Sequence, residues 1–473
     1  MIQFATIVLS ALCASFQDPQ PPPAAQPAAP AATPETAPTP AAAPVEPPPF
    51  QIYQGNRPRD PKDFRVAKFG PDKIPSPAYA FRAARALPIT GAPIEDAVVL
   101  TRDSKIVAIG RARDVPIPDG YEVVDLGDKW IVPGLVDLHC HVASPSFDLN
   151  DTVHQTNPEF RTLDLITLNH EQIKVAVAAG VTTVLYIPGS GSNMGGFGTL
   201  TKTHGDPREA LIRFPGTLKI AQAGNPERRS GDLGVTPLGM NQGLRMTLER
   251  GRVYYQAWED FEAGKGPKPE FRADLEYLRG LFRHEYPVGV HTQIYQVVLA
   301  TFQELRQEFG LWTVVIHGTF DAYRMSGVAR EIGVPICLGP RQYFFDTKQS
   351  KFIGLAGAWY AGGQHGWREA VAGVGPDGIA VNTDSPVVPQ EMLPLQCAMA
   401  VRLGLPDEIG MRAMTINPAR FVGIEHRVGS LEVGKDADLG IWSGDPIDPR
   451  NCVHMTVVNG RIAYRRDAAR PKF

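Results

Sequence analysis

Apolar and polar positions alternate in short runs from Ala78 to Val124, and this period predicts strands at 79–83, 94–100 and 105–110. Turn residues stand at Gly91-Ala92-Pro93 and Asp103-Ser104. The far end of the chain has the same texture. Residues 429–439 lead to a strand at 453–458, a turn at Asn459-Gly460, and a strand at 461–464. Two β-rich ends around a longer middle predict one small sheet domain built from both. In the middle, a helical stretch at 172–179 meets Gly180 and a strand at 181–187. Apolar strands follow at 218–221, 288–290, 312–316, 334–338 and 378–381, with helical segments such as 295–309 between them. Such alternation predicts a (β/α) barrel. No short-period repeat is present.

One apolar run carries chemistry. Residues 130–138, broken by Pro133-Gly134, read as a buried strand entered through a turn, and they end in His139-Cys140-His141. In a strand, side chains alternate faces, so His139 and His141 point one way and Cys140 the other. Two imidazoles so spaced can meet one metal ion, although His-x-His alone also describes two structural histidines at a strand end. Other strands add to the pattern. Lys219 lies on 218–221, His291 follows 288–290, His317 follows 312–316, and Asn382-Thr383-Asp384 follows 378–381. Four histidines and an aspartate at separate strand ends point to one shared site at the C-terminal face, where barrel enzymes keep their chemistry. Nitrogen and oxygen ligands with open positions suit a hydrolytic Zn²⁺ site, and the same set accepts Mn²⁺, Fe²⁺ or Co²⁺.

Length and charge narrow the partners. The 473 residues suffice for a large barrel plus a smaller domain. A net charge of -3 gives no basic field for nucleic acid and no acidic tail, which leaves a small molecule or a peptide. Met1 to Ser15 is apolar and ends in small residues, as a secretory signal does, although no Lys or Arg precedes the run. Cys13 raises a lipoprotein alternative, with Leu12 bulky for a lipid-attachment site. Residues 17–49 are almost all Pro and Ala, a composition that forms an extended tether and no core. Together these predict an exported, periplasmic or extracytoplasmic protein without a transmembrane span. Cys140, Cys337, Cys397 and Cys452 form no CxxC and no disulfide framework.

His139-x-His141, then His291, His317 and Asp384 in that order, followed by Gly429-Ser430-Leu431-Glu432-Val433-Gly434-Lys435-Asp436-Ala437-Asp438, resemble the metal-dependent amidohydrolase superfamily, in its imidazolonepropionase-like branch. The resemblance covers about Ala78 to Tyr464. It implies a (β/α)8 TIM barrel with a small β-sandwich made from both ends of the chain. The boundaries expected are a signal peptide at 1–15, tether and linker at 16–76, first sandwich part at 77–132, barrel at 133–424 and second sandwich part at 425–473. It further implies one or two Zn²⁺ ions, with His139, His141, Lys219, His291, His317 and Asp384 as metal residues and Asp384 and His317 as catalytic ones. Asp384 would take a proton from the attacking water and pass it to the leaving amine. Some two-metal members use a lysine carboxylated by CO₂. Lys219 sits where such a lysine is expected, and a bare ammonium beside two metal ions is repelled, so Lys219 is either modified or turned away. The implied activity is hydrolysis of a C–N bond in an amide, cyclic amide or dipeptide, with a homo-oligomer left open.

The chain departs from that branch in places. Ala223-Gly224-Asn225-Pro226 replaces Gly-Glu-Asn-Pro, Thr292-Gln293 follows His291, and Gly318-Thr319-Phe320-Asp321 replaces Gly-Thr-Glu. The lost acid motivates an alternative, a catalytically degenerate extracytoplasmic binding protein. His154, His170, His204, His284 and His365 read as surface or structural histidines. The glycine-rich segment 189–198 lacks the Lys-Ser/Thr pair of a phosphate loop and reads as a place where backbone approaches the site. Arg228-Arg229 are a candidate for a substrate carboxylate, against a solvated loop.

Overall fold

The computed structural model of the protein describes residues 50–52, 74–142, 149–152, 154–168, 170–222, 225–227, 234–318, 322–339, 342–346, 351–355 and 363–467. The expected signal at 1–15 and most of 16–76 lie outside the described residues, as do Arg228-Arg229, Ala223-Gly224 and Thr319-Phe320-Asp321. Within 16–76, Phe50 and Ile74 are buried.

Both ends of the chain enter one eight-stranded sheet. Its order is Arg461–Arg465, Val453–Val458, Leu439–Trp442, Trp130–Pro133, Tyr79–Ala86, Ile94–Arg102, Lys105–Arg111, with Glu122–Asp125 beside Tyr79–Ala86. The join is the antiparallel pair in which Ile441 faces Ile131. Alternate residues Phe81, Ala83, Val99, Ile131, Ile441 and Val457 turn to one buried face. The Asn459-Gly460 turn closes its hairpin with both residues at positive φ, 48° and 71°.

The chain leaves that sheet at Pro133, and Leu135–Cys140 starts the central strands. Leu135–Cys140, Val181–Tyr186, Val288–His291 and Thr313–His317 are buried along their whole length. Strands covered on both faces read as near-continuous apolar runs, as these do. Leu218–Ala221, Val288–His291, Thr313–His317, Ile336–Cys337 and Ile379–Ala380 pair in parallel in that order, and Leu135–Cys140 pairs in parallel with Val181–Tyr186. A parallel bridge between Cys140 and Ser385 links the two groups. Between Val181–Tyr186 and Leu218–Ala221 lie the antiparallel strands Met194–Phe197 and Thr199–Lys202. The glycine-rich segment 189–198 therefore contains a strand. Gly196 permits it: φ is 106°, and a Cβ there would lie 2.5 Å from the Phe160 carbonyl oxygen. The helix expected at 295–309 is α-helical over Tyr295–Thr301 and widens to a π-helix over Phe302–Glu308. Among the described residues, no helix is long and apolar enough to cross a membrane.

A buried ionic cluster ties the Thr199–Lys202 strand to the turn before Leu439. Lys202 Nζ pairs with Asp438 and lies 3.0 Å from Asp436, while Lys105 and Arg427 reach Asp436 at 2.6 and 2.9 Å. Burial pushes the Asp436 carboxyl up, but these three cations outweigh it and hold it well below the usual carboxylate range.

Candidate metal centre

Backbone hydrogen bonds bring the strand ends level. Ser385 N donates to His139 O, His141 N to Ser385 O, Gln222 N to His291 O, and Thr292 N to His317 O. The residues expected from the sequence consequently meet in one buried place. Asp384 Oδ1 lies 3.0 Å from His139 Nε2 and 3.1 Å from His141 Nε2, and Oδ2 lies 3.1 Å from His317 Nε2. His291 stacks on His317 with ring centroids 4.1 Å apart, and its Nε2 is buried without a hydrogen-bond partner. Lys219 is fully buried and points inward, with Nζ 3.1 Å from His139 Nε2. Of the two readings of Lys219, modified or turned away, the geometry does not match the second.

Hydrogen bonding on the outer ring nitrogens orients the first two imidazoles. His139 Nδ1 lies 3.2 Å from Ile316 O, and His141 Nδ1 lies 2.9 Å from Ile187 O. A carbonyl only accepts, so each Nδ1 carries a proton and each ring turns its Nε2 inward. Burial, with help from Lys219, His141 and His317 and against Asp384, keeps the His139 pKa well below its ordinary value. For Asp384, burial acts to raise the carboxyl pKa, but His139 and His317 together with hydrogen bonds from His141 and His317 hold it well below the usual range. Two Nε2 atoms thus meet one carboxylate oxygen at hydrogen-bond distance, an arrangement held by a proton or a metal ion shared between them. His139, His141 and Asp384 offer ligand atoms all within 4.8 Å of one another, and the donor set fits a divalent transition ion.

Asp137 belongs to this site and was not singled out in the sequence. It is fully buried on Leu135–Cys140 and accepts from His139 N (3.1 Å), Thr383 N (3.4 Å), Thr383 Oγ1 (2.5 Å) and Gln390 Nε2 (3.2 Å). It therefore braces the strand end that carries His139 against the turn that carries Asp384. Burial raises its carboxyl to about 6, against the hydrogen bonds from Thr383, His139 and Gln390. The next residue, Asp384, sits at a φ of 51°, a left-handed conformation that Asp tolerates better than most side chains. The signal for Asp137 was present: an acid inside an apolar run costs too much to bury unpaired, and strand alternation puts 137, 139 and 141 on one face. Cys140, on the other face, has its thiol pushed up to about 12 by burial.

Among the described side chains, the other histidines singled out in the sequence have partners elsewhere or lie exposed. His170 Nδ1 accepts from Gln172 N at a helix start, His284 Nε2 meets Gly310 O, and burial, then Arg461, lowers the pKa of His204. His154 is exposed, and the His365 side chain is outside the described set.

Residues 374–463 match the amidohydrolase family. The chain is 26% identical over 363 residues to the amidohydrolase tasK of Hapsidospora irregularis, covering 70% of this chain and 36% of that protein, so it spans little more than a third of that relative. It is 26% identical over 379 residues to an imidazolonepropionase of Rhizorhabdus wittichii, covering 74% of this chain and 88% of that enzyme. Among solved structures, an amidohydrolase from Thermotoga maritima MSB8 superposes with a TM-score of 0.72 at 28% identity, covering 82% of this chain and all of that one. The likeness implies a TIM-barrel-type fold, in keeping with the mixed α/β architecture.

Proposed function

We propose that the chain is an amidohydrolase, similar to imidazolonepropionases, that hydrolyses a C–N bond of a small molecule at the His139–His141–Asp384 centre. In this reading the central strands form a (β/α)8 barrel, and the sheet from both chain ends is the accompanying β-sandwich. The observation that carries the proposal is the convergence of the inward-turned Nε2 atoms of His139 and His141 on the Asp384 carboxylate.

His139, His141, His291 and Asp384 would hold a divalent ion such as Zn²⁺. Bound there, that ion lowers the pKa of water and polarises the scissile carbonyl. Asp384, kept unprotonated, accepts the proton of the attacking water and returns it to the leaving nitrogen. His317, 3.1 Å from Asp384 Oδ2, orients that carboxylate and faces the substrate. Lys219 points inward beside His139, so if two ions bind, charge favours its carboxylated form. Burial of all these side chains keeps bulk water from competing for the same polar groups. The substrate class is an amide, cyclic amide or dipeptide, and the protein is exported. No observation favours the alternative of a binding protein without catalysis.

The test is turnover of a panel of cyclic amides, linear amides and dipeptides by the full chain. The expected result is hydrolysis of at least one class, abolished by a chelator and restored by Zn²⁺. Absence of chelator-sensitive turnover on every class contradicts the proposal.

A further inference from the structure

The imidazoles of His139, His141 and His291 are anchored at Nδ1 in two different ways. His139 and His141 rest on backbone carbonyls, Ile316 O and Ile187 O, which no side-chain change can remove. His291 Nδ1 instead faces a hydroxyl, Ser190 Oγ, at 3.0 Å. A hydroxyl can accept or donate, so it fixes the ring less firmly than a carbonyl does unless it is itself held in place. Ser190 is held in place. It is 5% exposed, and the backbone on either side is clamped: Gly189 N donates to Leu149 O at 3.1 Å, and Gly191 N donates to Asn150 Oδ1 at 2.5 Å. Gly191 allows that approach, because a Cβ there would lie 2.6 Å from Asn150 Oδ1. Ser192 Oγ bonds Asp151 O on the same neighbouring segment.

We infer that Ser190 is the positioning residue for His291: its hydroxyl accepts the Nδ1 proton and presents the buried, unpartnered Nε2 to the ion. One short segment, 187–190, then sets imidazoles from two different strands. Its Ile187 carbonyl orients His141, and its Ser190 hydroxyl orients His291. This gives the glycine-rich stretch a specific purpose. Its glycines let the segment lie against the site, and its serine selects the direction in which His291 offers a lone pair.

The inference rests on the reading that an ion is held here, and the experiment separates the two. Zinc affinity of the full chain is measured by chelator competition, and the absorption spectrum is recorded with Co²⁺ in place of Zn²⁺. The variants are Ser190→Ala, Ser190→Thr, His291→Ala, the Ser190→Ala/His291→Ala double variant, and Ser192→Ala as a loop control. Removing the outer partner of a ligating histidine typically weakens metal binding roughly 10–100-fold. Ser190→Ala is expected to fall in that range with an altered Co²⁺ spectrum, Ser190→Thr to recover most of the affinity, and Ser192→Ala to stay within about twofold. In the His291→Ala background, Ser190→Ala should cost nothing further, which decides the question even if the threonine does not fit. Ser190→Ala matching wild type in affinity and spectrum overturns the inference while leaving the metal reading intact, as does a loss equalled by Ser192→Ala. A wild-type chain that takes up no metal overturns both.

Discussion

Where the Thr199–Lys202 strand meets the turn before Leu439, two buried aspartates face three cations; at the strand ends, one buried aspartate faces three imidazoles. In the first cluster Asp436 and Asp438 are matched by Lys202, Lys105 and Arg427, so every charge already has an opposite charge in the chain. In the second, Asp384 stands among His139, His141 and His317, two of which turn Nε2 toward one of its oxygens, with Lys219 beside His139. The aspartates of both clusters are buried, so burial of the acid does not distinguish them. The kind of group does. Carboxylates paired with ammonium and guanidinium groups contribute to holding the fold, whereas imidazoles converging on a carboxylate make a ligand set for an outside cation and are suited to chemistry.

The contrast predicts opposite consequences of breaking each cluster. Asp384→Asn should remove the proton acceptor, lowering turnover by up to about 10⁴-fold. The fold should lose little stability, as read by urea unfolding of the metal-free protein. Lys202→Met should do the reverse. It leaves the buried Asp438 carboxylate without a cation, while Asp436 keeps Lys105 and Arg427, at a cost of about 3–5 kcal/mol in urea unfolding, with unchanged metal stoichiometry in the folded fraction. Asp137→Ala lies between the two because it braces the site from within the fold. It orphans buried donors on His139, Thr383 and Gln390, so a loss of about 1–3 kcal/mol should accompany weaker metal binding. A variant that lost stability alone would make Asp137 purely structural.

The smallest effect concerns another buried acid, Glu304, outside both clusters. Burial, with Glu308 and against Arg245, raises its carboxyl from 4.5 to about 8, and its Oε2 accepts from Gln222 Nε2 at 3.3 Å. A pKa higher in the folded than in the unfolded chain gives stability that is complete below 4.5 and is lost as pH rises through about 8. Wild type should therefore lose stability relative to Glu304→Gln across that window, at roughly 1.4 kcal/mol per pH unit where this group alone differs. Urea unfolding of both proteins at several pH values checks it, and parallel curves would contradict it.

Much of this was legible in the chain. The period of apolar residues located the strands of both β-rich ends, and the order His139, His141, His291, His317, Asp384 anticipated which side chains meet. Lys219 was legible in position but not in direction, because facing inward or outward depends on register with Met194–Phe197, a strand hidden in a glycine-rich stretch. Asp137 and Ser190 escaped for a different reason. Each acts on a ligand rather than as one, and its partner lies across the fold: Thr383 is 246 positions from Asp137, and His291 is 101 positions from Ser190. Spacing along a chain reports which residues share a face, while such cross-strand pairings appear only once the strands are assembled.

The most direct test of the account is metal content. The full chain is stripped with chelator, incubated with Zn²⁺, desalted and measured by mass spectrometry, alongside His139→Asn and His141→Asn. The account predicts one or two equivalents of tightly held ion in the wild type and a loss of at least one equivalent in each variant. Equal uptake by all three proteins, or none by the wild type, would contradict it.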